Sequence, residues 1–226
     1  MLKVNMPVYS HIHVIFFDDT MDNFSGLCCR VDKDRPECQR KILTIKVPKG
    51  SQSTSHSLSK HKSIAAEMKE DQMYVYEGSG ITTRQFRDVL RWTAKDGKYP
   101  RVDTIVLDWD QCISHKNGLY NKSVYKKWES EAKKDEIIHA VFGSRDRKEA
   151  FFELLRRRSG KVMICTNQED ASAIRQFGQW AGMPMKDLAI QGQKERDAQY
   201  LKHFGKKQKN VTKAEFLNAF FDLCPT

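Results

Sequence analysis

A single α/β domain, with a parallel central sheet and helices on both faces, is the fold this sequence predicts, on three observations. Residues 13–17, 104–107 and 161–165 are short runs that stay apolar without alternating, as strands buried on both faces do. Stretches of helical period lie between them, and strands alternating with helices give right-handed parallel crossovers. The length of 226 residues suits one domain and suffices to bury a core, so the domain is read as 1–226.

In chain order, the first strand is 13–17 (HVIFF), ending in Asp18, Asp19 and Thr20. A second, 42–47 (ILTIKV), is stopped by Pro48 and Gly50. Residues 49–72 are rich in Ser, Lys and His without sustained period, and such a stretch buries too little apolar surface to offset its chain entropy. They are expected to form a flexible loop. Thr82 and Gln85 form a capping box that opens a helix carrying Phe86, Val89, Leu90 and Trp92. The strand 104–107 (TIVL) then runs into Asp108, Trp109, Asp110, Gln111 and Cys112. Residues 114–142 read as polar and basic, 146–158 as an amphipathic helix stopped by Gly160, and 161–165 (KVMIC) as a strand ending in Thr166 and Asn167. A helix passes through Ile174 and Phe177 to Gly182. A second capping box, Thr212 with Glu215, opens a last helix whose apolar side is Phe216, Leu217, Phe220 and Phe221.

Composition narrows the function classes. No apolar run approaches the roughly 18 residues of a membrane span. Residues 1–10 lack the pattern of a signal peptide, so the expectation is an intracellular protein. Of the six cysteines, none forms a C-x-x-C pair, and Cys112 and Cys165 sit in or beside apolar runs, so free thiols are expected. Cys28, Cys29 and Cys38 are the one cysteine cluster that metal could use. A net charge of +10 favours acidic partners, whether phosphorylated peptides, nucleic acid or anionic surfaces.

The chemistry concentrates at three strand ends, where ligands bind in parallel sheets. Asp108 and Asp110, one residue apart after a strand, can enter one small site, Asp108 as nucleophile toward phosphorus and Asp110 as general acid and then base. A carboxylate attacking an anionic phosphate needs compensating cations. Mg²⁺ held by carboxylates supplies one and a lysine another. Asp18 and Asp19 are natural metal ligands, and Thr166 with neighbouring backbone N–H groups can hold phosphate oxygens.

On these residues the chain resembles the haloacid dehalogenase superfamily, and within it the cap-poor protein phosphatases of the CTD-phosphatase and NLI-interacting-factor-like kind, some of them from large DNA viruses. D-W-D-Q-C at Asp108 to Cys112 matches the family's D-x-D-x-[TV], with Cys112 in place of Thr or Val. V-M-I-C-T at Thr166 matches its second motif and V-I-F-F-D-D at Asp18 and Asp19 its fourth. The resemblance implies a three-layer Rossmann-like fold, Mg²⁺ as cofactor and phosphate binding by Thr166 and Asn167. It also implies metal ligation by Asp108, the Asp110 backbone carbonyl, Asp18 and Asp19.

The order departs from the family, in which the paired acids come last. A circular permutation explains it: 42–47 and Gly80, Ile81, Thr82 follow the acids in family order, and K-A-E-F-L-N-A-F-F resembles the helix that normally precedes them. Joining Thr226 to Met1 restores the family order, a rearrangement tolerated because domain termini often lie close together on the surface. The same join nominates Lys213 as the family's lysine, with Lys194, Lys206, Lys207 and Lys209 as rivals. A lysine in the first turn opposes the helix dipole, which asks for a reason beyond helix stability.

The span from Asp108 to Thr166 must also hold a helix, which leaves no room for a large cap. An open site suits a phosphorylated protein or peptide, and Lys116, Lys122, Lys126, Lys127, Arg145 and Arg147 are candidates to attract one. Two other functions stay in view: a catalytically weak binding or assembly module, and a nucleic-acid end phosphatase, for which no aromatic-basic signature is present. The chain is expected to be a monomer or a domain-swapped dimer in which Asp18 of one subunit serves Asp108 of the other.

Overall fold

A computed structural model of the chain describes residues 11–20, 23, 27, 42–47, 51–52, 76–77, 80–92, 101–115, 134–158, 161–169, 171–205 and 208–221. The strands are β1 (His11–Asp18), β2 (Ile42–Lys46), β3 (Ser51–Gln52), β4 (Tyr76–Glu77), β5 (Arg101–Leu107), β6 (Lys161–Cys165) and β7 (Leu188–Gln191). The helices are α1 (Thr83–Trp92), α2 (Lys134–Phe142), α3 (Arg145–Arg157), α4 (Ser172–Trp180), α5 (Gln193–Phe204) and α6 (Lys213–Phe220). None of these helices is long and apolar enough to cross a membrane.

Five strands form one sheet in the order β2-β1-β5-β6-β7, every neighbouring pair parallel. The chain enters in the interior at β1, steps outward to β2, returns to lay β5 on the other side of β1, and continues through β6 to β7 at the far edge. The strand order therefore reverses between β1 and β5, and a crevice opens beyond their carboxyl ends at such a point.

The sheet is buried on both faces, which explains its unbroken apolar runs. Ile15, Phe17, Ile105, Leu107, Val162, Ile164 and Ile190 point to one layer, with Phe86 and Val89 of α1, Val141 and Phe142 of α2, Phe151 of α3 and Phe177 of α4. Val14, Phe16, Val106, Met163 and Cys165 point to the other, where Phe216 and Leu217 of α6 cover them. Side chains alternate along a strand, so Asp18, which follows Val14 and Phe16 in phase, and Asp108, which follows Val106, continue the α6 face.

The capping boxes form. Thr82 N–H donates to Gln85 Oε1 at 2.8 Å while Gln85 N–H donates to Thr82 Oγ1. Thr212 N–H donates to Glu215 Oε2 at 2.8 Å and Glu215 N–H returns the bond to Thr212 Oγ1.

Four expectations need correction. Residues 134–142, read as part of a polar stretch, form α2; Ile137, Ile138, Val141 and Phe142 are apolar at helical spacing and buried. β7 and α5 were not expected at all: β7 has four residues, and α5 buries only Arg196, so neither carries an apolar period. Within 49–72, Ser51–Gln52 pairs antiparallel with Tyr76–Glu77, and the rest of that segment lies outside the described residues. Phe220, expected in the core with Phe216, is 47% exposed.

Candidate active site

Asp18, Asp108 and Thr166 stand at the carboxyl ends of the adjacent strands β1, β5 and β6, and backbone pairing fixes their level. Asp108 N–H donates to the Phe17 carbonyl and Thr166 N–H to the Gln191 carbonyl, each at 2.9 Å. Asp18, Asp108 and Thr166 are buried, as is Asp19.

α6 supplies the cation. Lys213 Nζ lies 2.7 Å from Asp18 Oδ2 and 2.8 Å from Asp108 Oδ1, and its side chain is inaccessible to solvent. Residue 213 occupies the first helical position, where a lysine is unfavourable to the helix, and the two carboxylates provide the offsetting interaction. The nominated rivals are placed otherwise: Lys194 is exposed and paired with Glu169 at 3.1 Å, Lys209 is exposed, and Lys206 and Lys207 lie outside the described residues.

Each aspartate has a defined hydrogen-bond environment. Asp108 Oδ1 accepts from Trp109 N–H at 2.8 Å as well as from Lys213. Asp18 Oδ1 accepts from Thr20 N–H and Asn23 Nδ2, both at 2.8 Å, and Thr20 Oγ1 donates to Asp19 Oδ1. Asn23 was not expected at the site, and its only trace in the sequence is its place five residues after Asp18. Burial pushes the Asp108 carboxyl up to about 7; Lys213 opposes the rise, while Asp18 and Asp110 add to it. Burial works against the Lys213 charge, yet Asp108 and Asp18 outweigh it and raise its pKa above the usual lysine range.

Oxygen atoms of Asp18, Asp19 and Asp108 lie within 4.8 Å of one another. Three carboxylates against one buried ammonium leave negative charge in excess, and hard oxygen donors so arranged fit Mg²⁺. The expected ligand set is thus brought together in its three side chains.

Trp109 explains the middle residue of D-x-D. Its ring is fully buried, edge-on to Phe142 at 6.3 Å and Phe177 at 6.2 Å, and this anchors the turn between the two aspartates. Gln111, just beyond, adopts a left-handed φ of 54°, which bends the chain back. Cys112, in the Thr or Val position, packs as a buried thiol whose Sγ lies 3.7 Å from the Phe17 carbonyl. Asp110, half-buried, accepts from Gln168 Nε2 at 3.1 Å.

No protein-family model and no curated protein sequence matches this chain. The site must be argued from its own geometry.

Two buried arginines hold its walls. Arg147, considered above as an attractor of phosphopeptides, is 4% exposed and does not face solvent. Its guanidinium donates to the carbonyls of Cys112 at 2.7 Å, Ile113 at 2.6 Å and Phe142 at 2.8 Å, and to that of Ile81. It thereby ties the loop after Asp110 to the C-terminus of α2 and to the segment before α1. Gly80 makes this junction possible: its φ is +82°, and a Cβ there would meet the Cys112 oxygen at 2.5 Å. Arg196, fully buried, donates to the carbonyls of Thr166 and of Val211, the latter at 3.0 Å, and so joins the end of β6 to the approach to α6. Neither arginine was legible as structural, because nothing in a sequence separates a buried arginine from a surface one. Of the other expected attractors, Arg145 is exposed, and Lys116, Lys122, Lys126 and Lys127 lie outside the described residues, as do Cys28, Cys29 and Cys38.

The residues expected to bind phosphate are placed as follows. Thr166 is at the site, but its N–H is used within the sheet and Gln168 N–H is used by Thr166 Oγ1 at 3.2 Å. That leaves the Thr166 hydroxyl proton as the donor this residue can offer. Asn167 is exposed next to it.

Proposed function

We propose that this chain is a Mg²⁺-dependent phosphomonoester hydrolase working through an aspartyl-phosphate on Asp108. The observation that carries the reading is the Lys213 ammonium held between Asp18 and Asp108 where the strand order reverses, beside Thr166. A lone D-x-D is a common turn. A buried lysine shared by two strand-end carboxylates, with a third carboxylate adjoining, is an expensive arrangement that asks for an anionic ligand.

Asp108 Oδ1 is held by Trp109 N–H and Lys213, so Oδ2 is assigned the attack. The Oδ2–P bond forms as the P–O bond to the leaving group breaks, and Asp110 gives its proton to the departing oxygen. Water then loses a proton to Asp110 and attacks phosphorus, which releases phosphate and restores Asp108. Lys213 and the Thr166 hydroxyl oppose the charge on the transferring group. Mg²⁺ held by Asp18, Asp19, Asp108 and the Asp110 carbonyl would supply further positive charge.

The substrate class proposed is a phosphorylated side chain of a protein, supported by the net charge of +10 and by the short span available for a cap. The family proposed is the haloacid dehalogenase superfamily in circularly permuted order. Supporting the permutation, α6 lies against the same sheet face as Val14 and Phe16 of β1, the strand it would directly precede in the unpermuted order. A chain reordered to run 93–226 and then 1–92 through a short linker is expected to fold and keep the activity; failure to fold counts against the permutation.

The primary test is hydrolysis of p-nitrophenyl phosphate and of a phosphopeptide panel with Mg²⁺ or EDTA. Activity is expected with Mg²⁺ alone. It should vanish in folded Asp108→Asn, and an inert wild-type chain would reject the reading.

A further inference from the structure

We infer that Asp197 is a positioning residue for Lys213, fixing from near the start of α5 where α6 begins and so where the buried ammonium stands; this rests on the phosphatase reading above, in which Lys213 faces the transferring group. Asp197 Oδ1 accepts from Val211 N–H at 2.9 Å, and its Oδ2 accepts from Asn210 N–H at 3.2 Å. The Val211 carbonyl accepts in turn from Gln193 Nε2 at 2.9 Å and from Arg196 Nε at 3.0 Å. Val211 is fully buried and stands just ahead of Thr212 and Lys213. Both of its backbone groups are thus bonded to one end of another helix.

The contacts of α6 itself do not supply this placement. The capping box of Thr212 and Glu215 sets the residue at which the helix starts, but not its position along the sheet. Phe216 and Leu217 pack on the sheet face of Val14, Phe16 and Val106, and apolar packing has no direction of its own, so it does not fix the helix along its axis. Hydrogen bonds have direction. Asn210 adopts a left-handed φ of 59°, a conformation asparagine tolerates, and this turn delivers Val211 to the clamp. Gln193 closes the clamp: its Nε2 also donates to Asp197 Oδ1 at 2.8 Å, and its Oε1 accepts from the Arg196 guanidinium at 2.8 Å. Because Arg196 donates to the Thr166 carbonyl as well, the same end of α5 sets the spacing between the two groups proposed to meet the phosphate, the Thr166 hydroxyl and the Lys213 ammonium. An ammonium 2.7 Å from one carboxylate and 2.8 Å from another has little slack, so a shift of α6 lengthens at least one contact. Asp197 is half-buried, and its hydrogen bonds compete with water, so they add little to stability; their consequence is where Lys213 stands.

The test reads Lys213 directly, by ¹⁵N NMR of the lysine ammonium groups in the full chain without Mg²⁺. An ammonium closed to solvent and bonded to two carboxylates exchanges its hydrogens slowly, so its signal persists where those of exposed lysines are lost; Lys213→Met identifies it by removing it. Asp197→Ala is expected to speed that exchange about tenfold while the backbone amides of the sheet stay protected. Asp197→Asn keeps an acceptor for Val211 N–H without the charge and should restore most of the protection. On p-nitrophenyl phosphate with Mg²⁺, kcat should fall about tenfold in the Ala variant, less than the roughly hundredfold cost of a misplacement of about 1 Å, and recover in the Asn variant. A merely structural Asp197 would lower the urea midpoint and leave the exchange as in wild type. That result, or an Asn variant no better protected than the Ala variant, would overturn the inference and leave the phosphatase reading intact. Protection that behaves as expected in a chain that hydrolyses no ester would overturn the phosphatase reading and leave Asp197 as the residue that places Lys213.

Discussion

Arg147 and Lys213 are both buried cations within reach of the D-x-D loop, but they face opposite kinds of partner. Arg147 is surrounded by four backbone carbonyls, whereas Lys213 meets two carboxylates. Carbonyl dipoles cannot titrate, move to a ligand or exchange their cation, so the arginine fixes shape. Carboxylates can do all three, so the lysine is the cation placed for the proposed chemistry. The difference separates the frame of the candidate site from its proposed working parts, although both residues are basic, buried and at the start of a helix.

Truncation should expose the contrast most strongly. Arg147→Met leaves four buried carbonyls without their donor, at about 1 kcal/mol or more each, so urea unfolding should show a loss on the order of 4 kcal/mol. Added Mg²⁺ should not recover it. Lys213→Met leaves Asp18 and Asp108 facing each other without their cation, a loss on the order of 3 kcal/mol that Mg²⁺ should recover in part by taking the ammonium's electrostatic place. Equal responses of the two variants to Mg²⁺ would erase the distinction.

An effect of opposite sign is expected at Asp108, the proposed nucleophile. Burial raises the Asp108 carboxyl from 3.8 to about 7, so between those values the folded chain binds a proton that the unfolded chain has released. The stability linked to that proton is present below about pH 4 and is lost as pH rises through 7. Asparagine needs no proton. Without Mg²⁺, Asp108→Asn should therefore unfold near the wild-type midpoint at pH 4 and gain on it steadily as pH rises to 7 and above. A gain that shrank with rising pH would contradict the burial of a charged carboxylate at this position.

The same division governs what the sequence made legible. Strand ends announce themselves, because a run such as V-I-F-F-D-D passes abruptly from the apolar interior to carboxylates, and β1, β5 and β6 were placed on that basis with Asp18, Asp108 and Thr166. Lys213 was nominated by the family resemblance, and the capping box at Thr212 set it at the first position of α6. β7 and α5 left no such mark, since one is too short to show a pattern and the other buries a single arginine. Gln168, Arg196 and the true setting of Arg147 depend on contacts between distant segments, and Asn23 reaches Asp18 through a local turn that no pattern marks. Arg147 was misread as a surface cation because charge is visible in a sequence and burial of charge is not.

The central claim is that Asp108 attacks phosphorus while Lys213 and Mg²⁺ hold the charge. Its most direct test is acid-quenched labelling of the full chain during turnover of a ³²P-phosphomonoester with Mg²⁺, using wild type and Asp108→Asn. The account predicts a hydroxylamine-sensitive acyl-phosphate on wild type, mapped to Asp108 and absent with EDTA or in the variant. Turnover that proceeds equally in Asp108→Asn, or a phosphate mapped to another side chain, would contradict it.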